Sequence, residues 1–132
     1  MQDLFQNSPP AAQLLGRKLL SYDEHRQIAT IEYLARYEFT NRHGTVQGGL
    51  LTAMLDSATA LTLVAGLPAG FTAVTRRLDS EFLKPAQTGT LIAQTKVEKK
   101  TTRDAVVSAT LSSREELVVA KATAYLRMVK RR

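Results

Sequence analysis

NRHGTVQGGLLTAMLD, residues 41–56, decides how this chain folds. Polar residues and glycines lead into Gly48-Gly49, and an apolar run begins there. Leu50, Leu51, Ala53, Met54, Leu55, Ala58, Ala60, Leu61, Leu63, Val64 and Ala65 leave almost no polar face on a helix. A helix that is apolar all round is either buried in a core or spans a membrane. This one is long enough to span. However, it carries Asp56 near its middle, with Thr52, Ser57, Thr59 and Thr62, and no second apolar span accompanies it. The reading is a central helix wrapped by other elements, ending at Gly66 with Pro68 and Gly70 beyond it.

The flanking segments supply the wrapping. Residues 17–24 and 27–39 carry β-branched and aromatic residues in partial alternation and predict two strands, joined by a polar turn at residues 23–26. After the helix, strands are predicted over 73–83, 90–99, 105–111 and from Val118 onward. In the last, Val118, Ala120, Ala122, Ala124, Leu126 and Met128 take one side and Lys121, Thr123, Tyr125 and Arg127 the other. Its alanines suit close packing against a helix. One helix cannot alternate with about six strands as a parallel α/β fold requires. The expected class is α+β, an antiparallel sheet curled around one long helix. Residues 1–132 read as one domain, with 1–16 as an extension or short helix around Pro9-Pro10.

Composition narrows the function. The chain has 132 residues and no cysteine, which excludes a disulfide framework, a thiolate nucleophile and a thiolate metal site. Neither a metal nor a cofactor is expected. The first residues lack a basic region followed by an apolar one, so no secretory signal is read and a cytoplasmic location is the default. Eighteen basic against 12 acidic residues give a net charge of +6, which suits an anionic partner. Basic residues interleaved with aromatics are not evident, so nucleic acid is not expected.

The pattern Asn41-x-x-Gly44-x-x-x-Gly48-Gly49, followed by Asp56, resembles the active-site signature of hotdog-fold acyl-CoA thioesterases of the phenylacetate-pathway, PaaI-like type. The segment Phe82 to Ala86 (FLKPA) resembles that family too, and the likeness covers roughly residues 15–128. It implies an enzyme that hydrolyses an aryl- or fatty-acyl-CoA to free acid and coenzyme A. One position departs from the pattern: Gln47 stands where many members carry histidine. Glutamine donates and accepts hydrogen bonds but carries no proton at neutral pH. Its expected role is to orient or polarise the thioester.

Thioester hydrolysis needs an activated water or a nucleophile, and donors for the oxyanion. Gly48 and Gly49 stand at the expected helix start, where amides lack intrahelical partners and the dipole favours negative charge. The Gly48 amide is the expected oxyanion donor, with Gly49 beside the substrate. Asp56, read as buried, is the expected general base or nucleophile. Thr52 and Thr59 share its helix face as candidates to line the acyl pocket. Asn41 is expected to position the loop or a water. By the resemblance, Thr75 stands where some relatives place a hydroxyl near the attacking water.

Eight helical residues separate Gly48 from Asp56 by about 12 Å. One carbonyl cannot touch both, so either the two groups come from different subunits or one of them is not catalytic. The resemblance implies the former, a homodimer with helices paired across a two-fold interface, and often a homotetramer. Arg77, Asp79 and Glu81 share a strand face, with Arg77 as a candidate to meet a partner's carboxylate. Arg103, with Lys99 and Lys100, is the first candidate for the coenzyme A phosphates, and Arg76 with Lys84 the second. The competing classes are a non-catalytic acyl-CoA-binding module and a dehydratase or hydratase. The latter wants a histidine–carboxylate pair that His25 and His43 do not obviously supply.

Overall fold

The computed structural model describes residues 8–132, so residues 1–7 of the N-terminal extension lie outside the described residues. Pro10–Leu14 forms a short helix, α1, with proline at its first position, where a missing N–H leaves nothing unpaired. The chain then turns through Gly16 at φ +65°, and a Cβ there would stand 2.9 Å from Leu34 Cβ. Only glycine accepts both conditions. The Arg17 amide donates to Ala12 O at 3.0 Å and the Leu34 amide to Leu15 O at 3.0 Å, fastening the segment to the sheet.

The strands are β1 (Lys18–Asp23), β2 (Ile28–Ala35), β3 (Phe71–Phe82), β4 (Gly89–Lys100), β5 (Asp104–Ser113) and β6 (Val118–Lys130). They form one antiparallel sheet in the order β1-β2-β4-β5-β6-β3. The long helix α2, Gly48–Ala65, carries the chain from β2 to β3 at the opposite edge. This is the α+β arrangement that the sequence predicts. Residues 36–39 differ from expectation: they leave the strand for a 3-10 turn over Tyr37–Phe39. Phe39 turns into the core, and its carbonyl accepts from the Gln47 amide at 2.8 Å. Tertiary burial of one aromatic thus overrides a strand-like run.

Strand alternation builds the core. Ala29, Ile31, Tyr33 and Ala35 of β2, Leu91 and Ala93 of β4, and Ala120, Ala122 and Ala124 of β6 face inward and are buried. Leu51, Met54, Leu55, Ala58 and Leu61 of α2 meet them. Complete burial of Met54 and Leu55 contributes about 1.5–3 kcal/mol each before ordering costs. The helix has a mean hydropathy of 1.4, enough for a membrane span by composition alone, but these side chains face the sheet.

The sheet does not close around α2. Gly49, Ala53, Asp56 and Ala60 fall on one stripe at 100° per residue, and Gly49 and Asp56 are exposed. The expectation of a buried Asp56 is corrected here: its carboxylate stands on the one helix face that the strands leave open. The β3 edge borders this stripe on one side, and Arg17 with β2 borders it on the other.

Candidate active site

The loop before α2 is held by its own side chains. Asn41 Oδ1 accepts from the His43 amide at 2.9 Å and the Thr45 amide at 3.3 Å, and Asn41 Nδ2 donates to Thr45 Oγ1 at 3.1 Å. The Val46 amide donates to Ala86 O at 2.8 Å, tying the loop to the segment after β3. Asn41 therefore positions the loop, with its carbonyl oxygen and one amide N–H used within it. Gln47 is the N-cap, with φ −59° and ψ 133°, and its side chain makes no capping bond. Its carbonyl accepts from the Leu50 and Leu51 amides at 2.9 and 3.3 Å. The exposed Gln47 side chain is left free to meet a ligand.

The amides of Gly48 and Gly49 find no acceptor among the described residues. Neither glycine has a positive φ. A Cβ on Gly48 would make ordinary contact with Phe82 Cζ at 3.4 Å, and one on Gly49 would meet nothing within 4 Å. Neither backbone conformation nor packing within the chain demands glycine here. What the pair provides is bare backbone at the positive end of an 18-residue helix.

Asp56 has one partner. Thr75 Oγ1 donates to Asp56 Oδ1 at 2.8 Å, and the other carboxylate oxygen has no partner among the described residues. Thr75 faces inward beside Leu126, and the register of β3 shifts immediately after it, with Arg76 as the extra residue. Such bulges re-aim side chains and recur beside active sites. Helix and strand run antiparallel here, with Gly48 beside Phe82 and Asp56 beside Thr75. Between these two points, Ser80 has a buried hydroxyl without a partner among the described residues. The groove thus holds bare amides at one end and a carboxylate about 12 Å along the helix.

Comparison with known proteins places this arrangement. The Thioesterase superfamily model matches residues 43–120, which spans the glycine pair, Asp56 and Thr75. The chain belongs to the thioesterase superfamily. A phenylacetic acid degradation-related protein from Ralstonia eutropha JMP134 has a similar crystal structure, with 32% identity and a TM-score of 0.89 over 96% of this chain and 97% of that one. The Escherichia coli PaaI protein superposes with a TM-score of 0.83 at 24% identity, over 92% and 86% of the two chains. A thioesterase from Haemophilus influenzae gives 0.88 at 18% identity, over 98% and 90%. No curated protein sequence matches. The chain is a PaaI-like hotdog thioesterase, a thioester hydrolase.

Two sequence-predicted residues lie elsewhere in this thioesterase. Thr59 does not share a face with the Asp56 carboxylate. It is fully buried, and its hydroxyl donates to the carbonyls of Leu55 at 2.9 Å and Asp56 at 3.0 Å. Backbone bonding leaves it no proton for a substrate. Arg103 lies in the β4–β5 hairpin, with Nε 3.7 Å from Asp104 Oδ2, while Arg127 Nε binds Asp104 Oδ1 at 3.1 Å. The Arg127 hydrogen bond, with Arg127, Arg103 and Arg76 nearby, holds the Asp104 carboxyl below its usual range. Arg77 pairs with Asp79 of its own chain at 3.0 Å and stacks on Tyr125, so it is already engaged.

A depression of about 830 Å³ lies on the outer face of the sheet, bordered by Thr30, Gln94, Ser108, Thr110 and Lys121. It is across the sheet from α2 and holds none of the candidate site residues. Sequence reasoning missed one cluster beside Asp56. Ser57 accepts hydrogen bonds from Arg17 Nη1 at 3.1 Å and Tyr33 Oη at 3.0 Å. Three residues so far apart in the chain carry no shared spacing signal.

Proposed function

We propose that this thioesterase hydrolyses an aryl- or fatty-acyl-CoA to the free acid and coenzyme A at a site shared by two copies of the chain. The observation that carries the reading is the pairing of a Thr75-bound Asp56 carboxylate with unpartnered Gly48-Gly49 amides on one exposed groove. The name of the Ralstonia relative, related to phenylacetic acid degradation, favours an aryl acyl group.

Thr75 occupies Asp56 Oδ1 and leaves the second carboxylate oxygen for chemistry. As general base, that oxygen takes a proton from water while the water oxygen attacks the thioester carbon. As nucleophile, it attacks the carbon itself, and water later hydrolyses the anhydride. In both routes the carbonyl oxygen becomes an oxyanion received by the Gly48 amide, aided by the helix dipole. The carbon–sulfur bond then breaks, and the thiolate leaves and takes up a proton. Gln47, uncharged, orients the thioester.

The two ends of the groove are about 12 Å apart in one chain, so Asp56 of one copy works with Gly48 of another. The open β3 edge and the stripe of Gly49, Ala53 and Ala60 support such a homodimer, because both allow close approach of a second copy. A homotetramer of two such dimers and a cytoplasmic location complete the reading. Arg76, Arg103 and Arg127 surround the single carboxylate of Asp104. The surplus positive charge, with Lys99 and Lys100 on the same hairpin, suits the coenzyme A phosphates.

The test is release of free coenzyme A, followed with a thiol reagent, from phenylacetyl-CoA and straight-chain acyl-CoAs. Turnover of at least one is expected. Tight binding of all of them without turnover would leave a non-catalytic acyl-CoA-binding module.

A further inference from the structure

Arg17 is a half-buried cation without a carboxylate partner among the described residues. Burial pulls its guanidinium below the usual range. A desolvated cation is costly unless an anion meets it. Yet the chain fixes it in place. The backbone of Arg17 is tied to α1, and Nη1 donates to Ser57 Oγ at 3.1 Å. The fully buried Tyr33 donates to the same oxygen at 3.0 Å.

A serine hydroxyl offers two lone pairs and one proton. Arg17 and Tyr33 use both lone pairs, so the proton of Ser57 points elsewhere, and it finds no acceptor among the described residues. The cluster therefore presents unspent donors: that proton and the remaining N–H groups of Arg17. Such a set fits an anionic acceptor, and a guanidinium fits a carboxylate in particular. The carboxylate next to Ser57 on α2, Asp56, is turned toward Thr75. Ser57 follows Asp56 directly on α2, so these donors stand within about 10 Å of the reacting carboxylate. That is the reach of a short acyl chain.

We propose that Arg17, held by Ser57 and Tyr33, gives this site a preference, among the aryl- and fatty-acyl-CoAs it takes, for acyl groups that end in a second carboxylate. The proposal rests on the thioesterase reading of Asp56 given above. The thioester carbonyl lies at Asp56, and the far carboxylate meets Arg17 and the Ser57 proton. Acyl groups of equal length without that carboxylate leave the cation unpaired.

The experiment compares kcat/KM for glutaryl-CoA and pentanoyl-CoA, which differ only at the end of the acyl chain. The wild type is expected to favour glutaryl-CoA by roughly tenfold or more, the worth of one hydrogen-bonded charge pair. Arg17→Met is expected to abolish that ratio, and Arg17→Lys to retain part of it. Turnover of both substrates by the wild type without preference overturns the proposal, whether or not the variants fold. An equal loss on both substrates in Arg17→Met also overturns it, since that marks a structural role or a carboxylate supplied by the second copy. Failure to hydrolyse any acyl-CoA would instead sink the thioesterase reading on which the proposal stands.

Discussion

Thr75 Oγ1 lies 2.8 Å from Asp56 Oδ1, so a strand hydroxyl at the sheet edge holds the carboxylate that α2 presents to solvent. The bond fixes which carboxylate oxygen is occupied and which is free. Thr75→Val keeps the β-branched shape and removes only the hydroxyl. It is expected to lower kcat roughly tenfold to a hundredfold. Thr75→Ser is expected to retain most activity. Steady-state release of coenzyme A by both variants checks this; a fully active Thr75→Val enzyme contradicts the role.

The Gly48 amide is separable from the Gly48 side. Proline is tolerated at the first position of a helix, and Gln47 at ψ 133° already has the extended backbone that precedes proline. Gly48→Pro is therefore expected to fold, with stability within about 1 kcal/mol of wild type. It removes one N–H and is expected to cost about a hundredfold to a thousandfold in kcat. Gly48→Ala keeps the amide and serves as the comparison. Thermal melts alongside the kinetics separate folding from chemistry.

Tyr33 makes stability fall at high pH. Burial pushes its phenol well above the ordinary range, opposed by its bond to Ser57 and by Arg17. The unfolded chain loses this proton at about pH 10, while the folded chain still keeps it. The folded state then binds more protons, so stability decreases as pH rises. The contribution is complete below about pH 10 and is lost above it, toward the folded value. Melting temperatures between about pH 8 and 11 are expected to decline more steeply in wild type than in Tyr33→Phe. Tyr22, also raised by burial, is present in both proteins, so the difference isolates Tyr33.

Sequence patterns made the frame legible. Period-two alternation located the six strands, and the Ala-rich face of β6 announced close contact with a helix. The glycine pair at a helix start and the aspartate within the helix marked the candidate site. Environment was not legible. The apolar all-round composition of α2 suggested burial of Asp56, because composition cannot show where a sheet stops curling. Thr59 sits three residues from Asp56, yet its hydroxyl turned to the backbone, a local competition that threonine often wins in helices. The bulge at Arg76 and the meeting of Arg17, Tyr33 and Ser57 depend on tertiary register, and no local pattern encodes them.

The proposed active site takes Gly48 from one copy and Asp56 from another. Subunit exchange between Asp56→Asn and Gly48→Pro proteins tests it most directly. Each parent alone is expected to be nearly inactive. After unfolding and refolding together in equal amounts, half the dimers are hybrids, and each hybrid carries one intact site of its two. Activity is then predicted to recover to about a quarter of wild type. A mixture no more active than its parents, in which hybrids have been shown to form, contradicts the shared site.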